Sequence, residues 1–525
     1  MKRRALLGTA LAASLPLSAL AQTPPTMAVP LATPPDPEQP QLDDVVASAY
    51  QRLVMARWGD PVLPDAPPFS PNAPNESASA AQFGWDGVIA GIVTPPPAQD
   101  GVQRIVMVVA HPDVTARMAF PGGIDHPRTA GKMQGASVLN FSYRGGRWVV
   151  VDGGYQSRRM TDDTLCQVTG PAAATIGATV QGVIAPAAGC LTPWNSVLLA
   201  EGDAAIWFDR LAKVDQAYSD PAVAPLFSWV TEIDALSPGS FPNKHTALGR
   251  FPRAGIAAGL SHDGRAVIFM TDASPNGFLL RFTGAAAAGD GSTALDAGTL
   301  AVAVIDGSSI TWKDLGSDIP TLTATISAAA AAGGSGFDRP TGLALAPDGT
   351  LYLACRGNEA RSETNPLNPR AGNGSGHIIA FTHDGGDPAA AHATGQILLL
   401  AGNPSNDSTA RYAPGSPAWL RCPATLNLDP HGTLWIGTDQ DGRQLDTADG
   451  LFTLSPPLRL LNNAYLAPLG AAIGAAGFTS DTVFAMVRHP GDTPSSSFDQ
   501  PITRWPTLNP SMPPQSTMIG LTRRI

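Results

Sequence analysis

An all-β chain folded as a β-propeller of about six blades, with inserted loops and a short N-terminal helix, is what this sequence predicts. Three observations lead there. The chain has 525 residues, of which 54 are glycine and 50 proline; both types break helices and favour turns. Charged residues make up 14% and hydrophobic ones 43%, which is too apolar for a disordered chain. Lastly, one hairpin phrase recurs at irregular intervals: LSHDGRAVIFM at 260–270, LAPDGTLYLA at 345–354, LDPHGTLWIG at 428–437 and a degenerate GFTSDTVFAM at 477–486. Each copy reads as strand, tight turn, strand. Glycine takes the positive φ of the turn without steric cost, and the second strand is rich in β-branched and aromatic residues. A β-sandwich with several similar hairpins is the alternative to the propeller.

Residues 1–21 read as an export signal. Lys2, Arg3 and Arg4 are followed by a weakly apolar run from Ala5 to Leu20, and Ala19-Leu20-Ala21 fits a cleavage site. The paired arginines favour the twin-arginine route over an ordinary secretory signal. The mature protein is therefore expected in the periplasm or outside the cell after cleavage near Ala21. Residues 22–40, rich in proline and threonine, read as a flexible extension, and 41–525 as a single propeller domain. In QLDDVVASAYQRLVMAR (41–57) the apolar residues Val45, Val46, Ala49, Leu53, Val54 and Ala56 recur mostly at helical spacing. Asp43 or Asp44 would cap this helix, and Trp58-Gly59-Asp60-Pro61 would end it. The Ala/Gly stretches at 285–291 and 328–336 read as surface insertions.

The net charge of −10 argues against nucleic-acid binding, which needs a basic patch. After the signal there is no apolar run of membrane-spanning length. Cys166, Cys190, Cys355 and Cys422 allow three disulfide pairings or buried free thiols. There is no phosphate loop, nucleophile elbow or zinc helix, and Gly372-Asn-Gly-Ser-Gly376 reads as a loop. The run DQDGRQLDTADG at 439–450, with Asp439 and Asp441 at its start, spaces carboxylates before glycines. That suits calcium, a hard ion preferring oxygen ligands; two solvated Asp-Gly turns are the alternative. Asp272, Arg356, Asp439 and His489 each follow or end the second strand of a hairpin. In a propeller such ends gather around the central channel.

Phrases along most of the chain resemble the PhoX-type alkaline phosphatases: WGDPV at 58–62, FPG at 120–122, RRMT at 158–161, TGPAA at 169–173, TPW at 192–194, TALGRF at 246–251, DRP at 338–340, NPRA at 368–371, GHI at 376–378, LWIGTD at 434–439, HPG at 489–491 and RWP at 504–506. The resemblance implies a propeller that hydrolyses phosphate monoesters at an iron and calcium centre, held by carboxylates and a cysteine, with an arginine on phosphate. Metals polarise phosphoryl oxygens and lower the pKa of a bound oxygen nucleophile; a guanidinium fork matches phosphate.

Carried over position by position, the likeness is uneven. Arg339 stands at the phosphate arginine, but the glutamate that follows its proline is Thr341. The Asn-His-Glu phrase is Ala110-His111-Pro112, with Asp113 next to it. The cysteine register falls on Ala187, with Cys190 three positions later. Of two adjacent glutamates Glu201 is kept and the second is Gly202. The His-Glu after TALGRF becomes Arg253-Ala254, and Pro-Asp-Asn becomes Pro423-Ala424-Thr425. Asp272 and Asp439 remain.

These changes all remove anionic oxygen ligands, which hard cations need. The expected function is thus an exported PhoX-like protein lacking the full metal centre and acting as a binding or atypical member. The alternative is a divergent metal-dependent phosphatase acting on phosphate monoesters or diesters. Expected site residues are Arg339 on phosphate; Glu201, Asp272, Asp439, Asp441 and Cys190 on calcium or iron if the centre is partly kept; and His111, Asp113, Arg253, Arg356 and His489 lining the channel. The expected partner is a small anionic ligand or phosphate ester.

Overall fold

In the computed structural model residues 42–443, 447–455 and 458–524 are described. The signal and extension expected over 1–40 lie outside them, as does Asp446. Strand is the main regular structure and helix is minor, as the turn-rich composition predicts. The strands form six meanders, antiparallel except where Asn243–His245 pairs in parallel with Leu165–Thr169 in the second, each beginning at an inner strand: Val88–Val93, Pro186–Leu191, Arg253–Leu260, Pro340–Leu345, Pro423–Leu428 and Ala472–Phe478. We number the sheets one to six in that order. Sheets three and four join at their outer edges, where Ser309–Gly316 pairs with His392–Leu400. The four repeated phrases are the inner hairpins of sheets three to six.

The six inner strands pack side by side in a closed ring, one against six included. Small residues make the approach close enough. A Cβ on Gly255 would lie 1.7 Å from the Thr341 carbonyl oxygen, and one on Gly342 would lie 2.7 Å from that of Ala424. Neighbouring side chains on a strand enter different cores. Ile256 packs between sheets two and three, while Ala257 packs between three and four. Further cores fill the spaces between four and five, five and six, six and one, and one and two. Both faces of each sheet are therefore dry, so the strands read as continuous apolar runs instead of alternating ones. Each large side chain buried this way contributes about 1.5–3 kcal/mol.

The helix expected over 41–57 is not formed. Val45–Val46 pairs with sheet five, and Tyr50–Arg57 is the outermost strand of sheet six, paired antiparallel with Thr517–Arg523. Tertiary pairing overrides the local periodicity here: Thr517–Arg523 offers an open backbone edge, and Tyr50 and Ala56 are buried against it. The nearest helix, Glu76–Ala81, is six residues long and is capped by Asn75, whose Oδ1 accepts from Ala78 N. The Ala/Gly stretches are only partly insertions, since Leu279–Ala287 is a strand and Thr325–Ala331 a helix. All four cysteines are free, and no described helix is long and apolar enough to cross a membrane.

Candidate functional site

Each inner strand carries a β-bulge near its start, at 89/91, 186/188, 253/255, 340/343, 423/425 and 473/476. Bulges bend a strand and re-aim its side chains. Three inner strands are entered through an X-Pro step whose X has positive φ: Ala185 (51°), Arg339 (50°) and Cys422 (51°). Such backbone costs about 1–3 kcal/mol in a non-glycine residue. At Arg339 it is held on both sides. Its N–H donates to the carbonyls of Pro275 and Phe337, and its own carbonyl accepts from Arg356 N at 3.0 Å. Beneath it the buried Asp338 pairs with Arg361 and accepts from Asn373 Nδ2 at 2.8 Å.

These strand starts open on a cavity of about 610 Å³ at one end of the ring. Below it a narrower space of about 340 Å³ runs between the inner strands. Val88, Ala187, Ala254, Ala424 and Thr425 border both. One wall of the cavity is the helix Ala205–Leu211. Trp207 Nε1 fixes it by donating to the Pro112 carbonyl at 3.3 Å, as does Arg210 Nε by donating to Asp125 at 2.9 Å.

The opposite wall is a chain of alternating charges contributed by four sheets. Arg488 holds Asp86 through Nε to Oδ1 (2.9 Å) and Nη2 to Oδ2 (2.6 Å). Its Nη1 reaches Asp439 Oδ2 at 3.2 Å, and Arg356 Nη2 reaches Asp439 Oδ1 at 3.0 Å. Arg356 Nη2 also pairs closely with Asp441, whose other oxygen accepts from Arg339 Nη1 at 2.8 Å. The order is Asp86–Arg488–Asp439–Arg356–Asp441–Arg339. Burial pushes the Asp439 carboxyl up, but the charges of Arg356 and Arg488 outweigh it and hold it below the ordinary carboxylate value. Burial likewise lowers Arg488, and Asp86 and Asp439 more than reverse that. Behind Asp439 the buried Asp449 has no counter-ion among the described residues. Desolvation first, and the Asp439 charge second, push it up to about 7.

Of the residues expected at the site, Arg339, Arg356, Asp439, Asp441, Asp113 and His489 border this cavity. His489 is held by Nδ1 against the Gly470 carbonyl at 3.2 Å and stacks on Trp85. Desolvation in the cleft, then the nearby Asp86, raise Asp113 above the usual carboxylate value.

The other expected residues turn elsewhere. Glu201 is fully buried and pairs with Lys244 at 2.5 Å. Asp272 accepts from Ser274 N at 3.2 Å within its own turn. His111 sits in the core between the Asp86 carbonyl and Ser137 Oγ. Cys190 borders the lower space, and burial pushes its thiol up to about 12. Arg253 touches the cavity, but its guanidinium is wholly buried. It donates to the carbonyls of Ser228, Leu248, Gly249 and Phe251, and burial lowers it to about 9. It is therefore a structural cation, not a charge facing the channel.

Sequence reasoning missed Asp86 and Arg488. Arg488 ends the second strand of sheet six opposite the first residue of the inner strand, as Asp272 does in sheet three. Reading that register across the repeats would have found it. Asp86, in an Asp-Gly step before the first inner strand, carries no comparable signal.

Among the described residues no three His, Cys, Asp or Glu side chains converge as metal ligands do. Six of the positions at which the resemblance expects a ligand nonetheless gather in one place: Pro112, Ala187, Gly202, Ala254, Thr341 and Ala424 border the cavity.

A family model described as alkaline phosphatase PhoX matches residues 33–491. The solved structure of Pseudomonas fluorescens PhoX in complex with vanadate, a transition-state analogue, superposes with a TM-score of 0.85 at 24% identity, covering 94% of this chain and 98% of that one. A gluconolactonase from Xanthomonas campestris aligns over 83% of this chain and 97% of its own at 11% identity, but its TM-score of 0.27 is too low to carry an argument. No curated protein sequence matches the chain.

Proposed function

The chain belongs to the alkaline phosphatase PhoX family, and we propose that its six sheets are the blades of a propeller whose cavity binds a phosphate-like oxyanion without the iron and calcium centre that the resemblance implies. One observation carries this reading. Six of the positions where the resemblance expects metal ligands border a single cavity, and there they are Pro112, Ala187, Gly202, Ala254, Thr341 and Ala424. A site for a hard cation needs several anionic oxygens around one point. The carboxylates that line the opposite wall are already neutralised. Asp86, Asp439 and Asp441 each touch at least one guanidinium, and a metal would have to displace it. The residues present do not fit the metal centre.

What remains is anion recognition. Arg339 gives Nη1 to Asp441, while its Nε is buried without a partner among the described residues. An oxyanion satisfies such a group, and an arginine fork suits phosphate, sulfate or carboxylate geometry. The relative's bound vanadate, a phosphate mimic, supports the same ligand chemistry.

A second reading, a divergent metal-dependent phosphatase, is favoured by Asp113 and Asp203. Both border the cavity, and neither has an ion pair among the described residues. The two readings separate in one experiment on the full-length protein. Metal content, vanadate binding, and turnover of a chromogenic phosphomonoester with added calcium are measured together, in wild type and Arg339→Ala. The proposal expects metal-free protein that binds vanadate through Arg339 and does not turn over. Stoichiometric metal with calcium-dependent turnover would replace it by the second reading.

A further inference from the structure

Asp441 is the one member of the charge chain that half faces solvent; its side chain is 47% exposed, against 9% for Asp439 and 1% for Asp86. Its carboxylate nevertheless does not point into water. One oxygen accepts from Arg339 Nη1 at 2.8 Å and the other is closely paired with Arg356 Nη2. The two oxygens of one carboxylate thus bridge two arginines from sheet four. Two oxygens of a bound phosphate group would make the same contacts.

The two ends of this bridge are not equally constrained. Arg356 is fixed from behind, because its Nε donates to the Asp439 carbonyl at 2.7 Å and its Nη2 to Asp439 Oδ1 at 3.0 Å. Arg339 is fixed by its backbone, at a φ of 50°. Asp441 lies in a turn, with a φ of 59°, and its N–H donates to Asp439 Oδ1 at 2.9 Å. The arginines are the preorganised part, and the carboxylate is the part that an incoming group can replace.

We propose that Asp441 is an internal stand-in for the ligand: the Arg339–Arg356 pair is an oxyanion seat, and binding exchanges the Asp441 carboxylate for a phosphate-type group on a small molecule. This rests on the reading of the cavity as an anion site and adds a second arginine and a competitor to it. Leaving Asp441 beside the bound anion would place like charges in contact, which costs several-fold or more in affinity. The exchange moves no covalent bond. It swaps one anion for another at the same two donors, so the stand-in keeps both guanidiniums charge-compensated when no ligand is present.

Asp441→Asn and Asp441→Glu test it, with calorimetric titration of inorganic phosphate and of phenyl phosphate at low salt. The asparagine variant removes the competing charge at nearly constant shape, and thermal melting checks that the fold is kept. The expected result is binding tighter by about ten- to a hundredfold in the asparagine variant. The glutamate variant should stay within about threefold of wild type, and adding Arg356→Ala to the asparagine variant should remove the gain. Unchanged or weaker binding in a folded Asp441→Asn protein overturns the stand-in while leaving the anion reading intact. An equal gain in Asp441→Glu overturns it too, because the effect would then be steric. If neither anion binds any variant, the reading of the cavity falls, and the stand-in with it.

Discussion

On one side of the cavity sheets four, five, six and one present Arg339, Arg356, Asp439, Asp441, Arg488 and Asp86. On the other side sheets two and three present Ala187, Gly202, Ala254 and Ala273. Both sides have polar residues at matching strand ends. Glu201, Asp272 and Arg488 all lie opposite the first paired residue of their inner strands. The difference is in their partners. Glu201 meets a buried lysine of its own sheet, Asp272 its own turn, and Arg253 four backbone carbonyls. Arg488 instead meets carboxylates from two other sheets. A side chain reaches the cavity when its counter-charge lies across the ring, and folds back when a nearby lysine, turn or set of carbonyls satisfies it.

The largest test of this contrast is Arg488→Met. It leaves Asp86 and Asp439 buried with one fewer cation, and we expect a loss of about 3–5 kcal/mol in denaturant unfolding. A loss under about 1 kcal/mol would mean that the charged side is held by packing, as the other side is. Next in size is Gly255→Ala on the quiet side. The added methyl would lie 1.7 Å from the Thr341 carbonyl, forcing sheets three and four apart at a cost of about 1–3 kcal/mol. Full stability in that variant would show that the ring tolerates widening.

The smallest is Asp449→Asn. Burial and Asp439 raise this carboxyl to about 7 from an ordinary 3.8. Between about pH 4 and pH 7 the unfolded chain gives up that proton while the folded one keeps it, so the wild type loses stability across this window and levels off above it. The asparagine variant should lack that decline. It should be more stable than wild type at pH 8 by about 1–3 kcal/mol, and closer to it at pH 4. Parallel pH profiles would show Asp449 to be paired in solution.

The repeated hairpin phrase, three of whose copies turn on Asp-Gly or His-Gly, located four of the six inner hairpins. The other two were not legible. Sheet one turns through the long segment 94–103, where Asp100-Gly101 follows a run of prolines without the rest of the phrase, and sheet two through Thr192-Pro193-Trp194-Asn195, which has no Asp-Gly or His-Gly step. The segment 50–57 misled because its apolar spacing fits a helix, while its partner strand lies more than 450 residues away in the chain. Strand-end position was readable for Arg356 and Asp439. Which polar ends turn inward was not, since that depends on Lys244, Ser274 and the carbonyls around Arg253.

The pairing of Tyr50–Arg57 with Thr517–Arg523 closes the ring inside sheet six, by joining an early and a late segment of the chain. Arg488 ends a strand of sheet six, and Asp86 precedes the inner strand of sheet one. The Arg488–Asp86 link of the charge chain therefore brings together segments that lie far apart in the sequence. A cut that frees either of these paired strands is expected to loosen the Arg488–Asp86 contact before it unravels the other sheets.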